Sequence, residues 1–483
     1  MTFAAFLAIA FIGTTLALLL RRWERVALAV GALGLGAAFI AAVAMDPATR
    51  LELGGSVLAT SPYLRLFLIL GTFVGLVLAL MAVAAGPRRD GPAVTLGTMG
   101  AAALALASPD PRIAVLAITA GGMLGVLLTI VPTGGRVGAG VGLRDLRAVV
   151  VAGAMAIAAT AWIGRDLADL VAQPVVFGLA YLAFALAVAI RFGAIPFHIL
   201  VGRLTDAVPE TGLPILIAWG PASLAIVGLA WVAASIAPLP VDIGPERAIV
   251  VAIAIASIVL ATFAAWIQDD LEHVVGYSIV GDAGVVMLAF AALDPAAWTP
   301  GRTWILAFVV TRSAFAGWAA VMRDSFWTGS LPDLRGWAIR SPLLAGSLIV
   351  IVVASIGLPG FAAFQARSDL VDLALDGPLA ILVFIATLAP ILYYGRLLVI
   401  GTRRLDVRSA LVVDWRPRWA KVDVTDVRGS TSRLVQANRV LGMTLASLVL
   451  AVVALLTSVG AFGGPQAAAG LPPIDTIPGE TAP

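Results

Sequence analysis

Residues 342–367 read Pro-Leu-Leu-Ala-Gly-Ser-Leu-Ile-Val-Ile-Val-Val-Ala-Ser-Ile-Gly-Leu-Pro-Gly-Phe-Ala-Ala-Phe-Gln-Ala-Arg. An uncharged apolar run stops at Gly357-Leu358-Pro359-Gly360, resumes at Phe361 and then carries a charge at Arg367. Proline removes a backbone donor and glycine relaxes the chain, so the spacing predicts two half-helices around a break. Within a bilayer such a break survives only where protein or water satisfies the freed backbone groups. The stretch therefore predicts a membrane helix bundle with a polar interior.

The rest of the chain has the same character. Of its 483 residues, 61% are hydrophobic and 12% charged, against about 45–50% and about 25% in a soluble domain. That excess has no water-soluble core to hide in. Barrel strands would alternate apolar and polar residues. Here the runs are continuous, at approximately 3–20, 26–45, 64–85, 92–108, 112–132, 147–164, 174–195, 213–236, 247–267, 274–293, 303–322, 342–361, 377–400 and 438–462. About 20 apolar residues span a bilayer as a helix, so the fold class is all-α and polytopic, with about 14 transmembrane helices. Residues 2–20 lack a basic leader and a small-residue cleavage site, and are read as a retained first span.

Arginine placement sets the expected orientation. With the N-terminus outside, cytoplasmic loops hold 22 of the 31 basic residues and the opposite side holds six. Both termini are thus expected outside the cytoplasm, and the pI near 9.7 reflects orientation rather than nucleic-acid binding. The reading divides the chain into N-terminal helices at 1–108, a core at 109–400, a cytoplasmic loop at 401–437, a last span at 438–462 and a disordered tail at 463–483. Cysteine is absent and histidine is limited to His198 and His273, which argues against a metal site. No nucleotide, dinucleotide or haem motif is present. No catalytic site and no cofactor site are expected in this chain.

Three basic residues fall inside apolar runs: Arg191, Arg312 and Arg367. A central arginine costs about 2.5–3.5 kcal/mol on insertion scales unless it meets a partner or water. Arg312 lies mid-run in Phe308-Val-Val-Thr-Arg312-Ser-Ala-Phe315, whereas Arg191 is close enough to its run's end to snorkel. A second break is expected between Gly193 and Pro196. Two breaks, each beside a buried charge, suit an ion path built on half-helix ends; a simple proline kink is the alternative for either one. Acidic groups are few. Asp282 lies within a run. Asp369 and Asp372 follow Arg367 and either neutralise it or sit in water at a helix end. Asp269, Asp270, Glu272 and His273 read as a polar cytoplasmic turn.

Three segments resemble a known family. Arg191-Phe-Gly-Ala-Ile-Pro196-Phe197-His198 resembles its lysine, four residues, then Pro-Phe-His. Gln268-Asp-Asp-Leu-Glu272-His273-Val-Val-Gly276-Tyr277-Ser278 resembles its Gln-x-x-x-Lys-Arg-x-x-Ala/Gly-Tyr-Ser. Leu334-Arg335-Gly336, Gly357-Leu358-Pro359 and Phe364-x-x-Arg367 resemble its Leu-x-Gly, Gly-Ile-Pro and Gly-Phe-x-x-Lys. The family is that of the antiporter-like membrane subunits of respiratory complex I and multisubunit Na+/H+ antiporters, and within it the subunit N group of NADH–quinone oxidoreductases is most similar.

The resemblance implies two inverted five-helix repeats with broken helices, proton translocation through a central line of charge and water, and work inside a larger complex. Quinone, NADH, flavin and iron–sulfur chemistry would belong to partner subunits, so any enzymatic label belongs to the assembly. A bacterial-type plasma membrane is the expected location, and lipid and other membrane subunits are the expected partners. The proton-path candidates are Arg191, His198, Asp282, Arg312, Arg367 and Asp369; the helix breaks are Pro196, Gly357 and Pro359. The departures are specific. The family's lysines become arginines, which do not give up a proton. The expected glutamate is missing from Ile118-Thr-Ala-Gly-Gly122, a further lysine position falls near Pro221, and Gly202-Arg203 stands where Pro-Asp is expected. The alternatives are a cation/proton antiporter subunit, including one serving inorganic-carbon uptake, a non-conducting structural paralogue, and an unrelated transporter with chance motifs.

Overall fold

The computed structural model describes residues 3–53, 56–85, 91–129, 136–161, 172–232, 243–403 and 428–470. Residues 404–427 of the expected loop at 401–437, and residues 471–483 of the expected tail at 463–483, lie outside the described residues. The chain is an all-α, multi-pass membrane protein. Among the described residues, nine helices are long and apolar enough to cross a bilayer, and four more apolar helices are shorter.

The first half comprises α1 (Phe3–Leu19), α2 (Glu24–Val43), α3 (Pro62–Ala85), α4 (Gly91–Ala107), α5 (Pro111–Thr129), α6 (Arg136–Thr160), α7 (Pro174–Phe192), α8 (Ile199–Ala207) and α9 (Gly220–Trp231), the last preceded by a π-helical turn at Ile215–Trp219. The second half comprises α10 (Gly244–Ile267), α11 (Leu271–Ala292), α12 (Trp298–Phe326), α13 (Trp337–Arg340), α14 (Pro342–Ile356), α15 (Ala362–Ala374), α16 (Gly377–Leu388), α17 (Ile391–Thr402), α18 (Arg428–Val459) and α19 (Gly464–Ala468).

Several boundaries differ from the sequence reading. A small antiparallel hairpin, Arg50–Leu53 with Ser56–Ala59, joins α2 to α3. It is braced by Thr60, whose hydroxyl donates to Asp46 O at 2.9 Å and accepts from Thr49 N at 2.8 Å. Residues 428–437, expected in the loop, begin α18. The first part of the tail is helical rather than disordered. Arg302 Nη2 donates to Ala467 O and Trp298 Nε1 to Gly470 O, which satisfies carbonyls at the end of α19.

The centre of the bundle is α12. Its 18-residue span is enclosed on every side, whereas the comparable window of α2 or α16–α17 is one-third buried and exposes residues such as Ile381 and Leu382. Helices pack closely where glycine removes a side chain. A Cβ at Gly284 on α11 would stand 2.8 Å from Ala254 O and 2.9 Å from Ile258 N, both backbone atoms of α10. Gly284→Ala is therefore expected to force the two helices apart and cost about 1–3 kcal/mol. Thermal unfolding in detergent checks this, and an unchanged midpoint would contradict the packing.

Ion pairs tie together the end that the arginine count assigns to the cytoplasm. Arg323 donates to Glu210 at 3.1 Å and also to Glu272; Arg396 donates to Asp269 at 2.6 Å; Arg439 donates to Asp324. The polar turn 269–273 is thus part of a charged network linking the segment after α8 with α11, α12, α17 and α18. At the opposite end Arg247 donates to Ala291 O at 2.7 Å and to Ala374 O at 3.0 Å.

Candidate functional site

Both expected breaks are present. Helix α7 ends at Phe192 with Gly193 left-handed at φ 65°, and the chain re-enters helix at Ile199 after a cis Ile195–Pro196 peptide. Helix α14 ends at Ile356, Gly357 takes φ 67°, and α15 starts at Ala362. A side chain at Gly357 would be strained there, which is why glycine occupies the stop. A third interruption was not foreseen. Gly377–Thr402 is long enough to be one span, but Pro390 divides it into α16 and α17.

The interrupted helices converge on the middle of α12. Arg312 is fully buried and donates from Nε to Asp282 Oδ2 at 2.5 Å. Its Nη1 donates to the hydroxyls of Tyr393 at 3.0 Å and Tyr394 at 2.7 Å, both in the first turn of α17 after Pro390. The tyrosine rings lie 4.5 Å apart and pack on Phe315. Each hydroxyl accepts from the guanidinium and so retains its own proton for another acceptor. Arg312 Nη2 is buried with no partner among the described residues.

Arg367 is also buried, and it engages backbone rather than acid. Its Nη2 donates to Ile356 O, the last carbonyl before the Gly357 break, and its Nη1 reaches Thr387 O at 3.4 Å, just before the Pro390 break. A basic side chain on terminal carbonyls offsets the orphan acceptors of a helix end. Arg367 therefore fastens two interrupted helices together. Its guanidinium lies 5.6 Å from the ring of Trp304, and Trp304 Nε1 donates to Asp282 O at 3.3 Å. Asp282 thus meets Arg312 through its carboxylate and, through its backbone carbonyl, the indole that lies beside Arg367.

The remaining candidates scatter. Arg191, in the last turn of α7, turns inward to a narrow chamber lined also by Thr98, Gly121, Gly122, Gly125 and Ser223. Trp219, in the π-helical turn beside this chamber, donates to Ser313 Oγ next to Arg312 at 3.0 Å. His198 lies on the connection after α7 with its ring 6.4 Å from Tyr277, outside the cluster around Arg312. Asp369 does not meet Arg367. Its carboxylate accepts from Gln365 Nε2 at 2.7 Å, and Asp372 is exposed. Two residues apart on a helix point to different faces, which explains the separation. Sequence reading missed Tyr393, Tyr394 and Trp304; the available signal for the tyrosines was a hydroxyl pair one turn after Pro390.

Fold and site together define a polytopic membrane helix bundle with charged residues buried against interrupted helices. Residues 158–392 match the family model described as NADH:quinone oxidoreductase/Mrp antiporter, TM. Subunit N of the NADH-quinone oxidoreductase of Halorhodospira halophila is 26% identical over 227 residues, 46% of each chain. Subunit N 2 of Opitutus terrae is 34% identical over 146 residues, 29% of this chain and 30% of the relative. The matched stretch thus spans about half the length of the first of these relatives, or less. Solved structures share the fold over nearly the whole chain. A chain of respiratory complex I from Thermus thermophilus aligns with TM-score 0.68 at 17% identity, covering 94% of this chain and 98% of that one. A chain of the Mrp complex from Dietzia sp. aligns with TM-score 0.73 at 18% identity, covering 97% of both.

Proposed function

We propose that this chain is a membrane subunit of a complex-I-type respiratory assembly and contributes to proton translocation through its interior. The observation that carries the reading is the buried pair between Arg312 on the central helix α12 and Asp282 on α11, with interrupted helices around it. Burying an ion pair in lipid costs several kcal/mol per ion before pairing, and intramembrane charge of this kind marks ion pathways.

In this reading the arginines keep their protons. Arg312 and Arg367 set a positive field and hold carbonyls and hydroxyls in place, while carboxylates, hydroxyls and water carry the mobile proton. The relatives from Halorhodospira halophila and Opitutus terrae bear the name NADH-quinone oxidoreductase subunit N, which supports redox partners rather than a free-standing carrier. Those partners would hold the quinone, flavin, NADH and iron–sulfur sites. A bacterial-type plasma membrane with both termini outside fits the arginine asymmetry. The Mrp-like fold supports a second reading, a subunit of a cation/proton antiporter.

Mild-detergent purification of the native protein followed by mass spectrometry separates the two. Flavin, iron–sulfur and quinone-site subunits are expected to co-purify. Small antiporter subunits without redox partners would replace the first reading by the second.

A further inference from the structure

At the end of α12 opposite the Arg323 network lies a cavity with a cation in its wall and no acid. It encloses about 30 Å³ where the first turns of α3, α5 and α12 meet, at Tyr63, Pro111 and Trp298, with Ser61 and Arg302 beside them and Ala230 of α9 completing the wall. A helix start carries partial positive charge and favours an anion, and three converge here. Arg302 adds a full charge and is 3% exposed. Its guanidinium lies 4.0 Å from the ring centre of Tyr63 and 4.2 Å from that of Trp298. Nη1 donates to Gly470 O and Nη2 to Ala467 O, each at 3.1 Å. All of these partners are neutral. Among the described residues no carboxylate pairs with Arg302. Asp110, next to Pro111 in sequence, instead caps its own helix by accepting from Arg112 N at 2.8 Å. Arg302 Nε is buried with no partner among the described residues. Ser61 Oγ accepts from Leu64 N at 3.1 Å, which leaves its O–H to serve a further acceptor.

We propose that this cavity binds a small monovalent anion of the size of chloride, with Arg302 Nε and the Ser61 hydroxyl as its donors. Arginine keeps its charge, and a buried charge without a counter-charge is costly. What the cavity lacks is therefore an acceptor that is itself negative. Its volume sets the size of that acceptor. One water fills about 10–15 Å³ of such space, so an anion as small as chloride fits with one water, while a sulfate, a phosphate or a lipid phosphate does not. The anion would neutralise Arg302 where that residue ties α12 to α3 and to α19. The inference concerns binding alone and stands apart from proton passage.

The test is equilibrium binding of radioactive chloride to the full chain, purified in mild detergent and freed of chloride by exchange into gluconate at constant ionic strength. Thermal unfolding against chloride concentration is the second readout. Wild type is expected to bind chloride saturably, one ion per chain, with bromide competing and sulfate and inorganic phosphate not. A ligand that binds only the folded state raises the midpoint as its concentration passes Kd; the expected rise at saturation is about 3 °C. Arg302→Gln should lose both the binding and the rise. Since that variant also gives up two hydrogen bonds and can fail to fold, Ala230→Leu serves beside it: the larger side chain fills the cavity and leaves Arg302 in place, and it too should lose both. Absence of saturable binding to wild type overturns the proposal and leaves a cavity that holds water alone. Binding undiminished in Ala230→Leu overturns it as well, because the ion then sits elsewhere. Competition by phosphate as strong as that by bromide would overturn the small-anion assignment.

Discussion

Arg312→Met is expected to destabilise the protein by about 3–5 kcal/mol, the cost of breaking a buried pair and leaving one charge alone. The stranded group is Asp282, which has lost the 2.5 Å contact from Arg312 Nε. Tyr393 and Tyr394 lose their shared donor in the same step. Arg312→Met combined with Asp282→Asn removes both charges. It is expected to return to within about 1–2 kcal/mol of wild type, since neutral replacement of a whole buried pair is often close to neutral in stability. Unfolding of the two variants in detergent decides the point. Equal losses in both would show that Arg312 is held by packing alone.

Arg367→Ala should have the second largest effect, for a different reason. It removes no ion pair. It removes donors to Ile356 O and Thr387 O, carbonyls beside two helix interruptions. Hydrogen bonds from a charged donor are worth about 1.5–3 kcal/mol each, and the contact to Thr387 is long, so the expected loss is about 2–4 kcal/mol. Arg367→Lys keeps the charge but has one compact ammonium in place of a planar fork; it should recover about half. Native-gel level of the complex and proton yield are the accompanying readouts. Unchanged proton yield and unchanged complex level in Arg367→Ala would contradict the fastening role.

The parts legible in the sequence were those set by local chemistry. Gly357-Leu358-Pro359-Gly360 stops a helix whatever surrounds it, and Gly193 with Pro196 does the same. Arg312 announced itself because nothing near it in sequence lets a guanidinium leave the bilayer. Its partner did not: Asp282 lies thirty residues away, and which helix faces meet depends on rotations that apolar sequence leaves open, since lipid-facing and protein-facing surfaces have the same composition. For the same reason, sequence alone did not show α12 as the enclosed centre of the bundle. Tyr393 and Tyr394 passed as aromatic members of an apolar run, and their hydroxyls matter only because the Pro390 interruption brings them to Arg312. Asp369 erred the other way: nearness in sequence to Arg367 suggested a contact that the helix directs elsewhere.

The central claim is that the buried charges on and around α12 belong to a working proton path. Its most direct test is the number of protons moved per electron pair by inverted membrane vesicles carrying Arg312→Met with Asp282→Asn, the variant expected to fold. Respiratory electron flow and complex level are matched to wild type. The account predicts a lower proton yield per electron pair at equal complex level. A yield equal to wild type would contradict it and leave this subunit a structural member of its assembly.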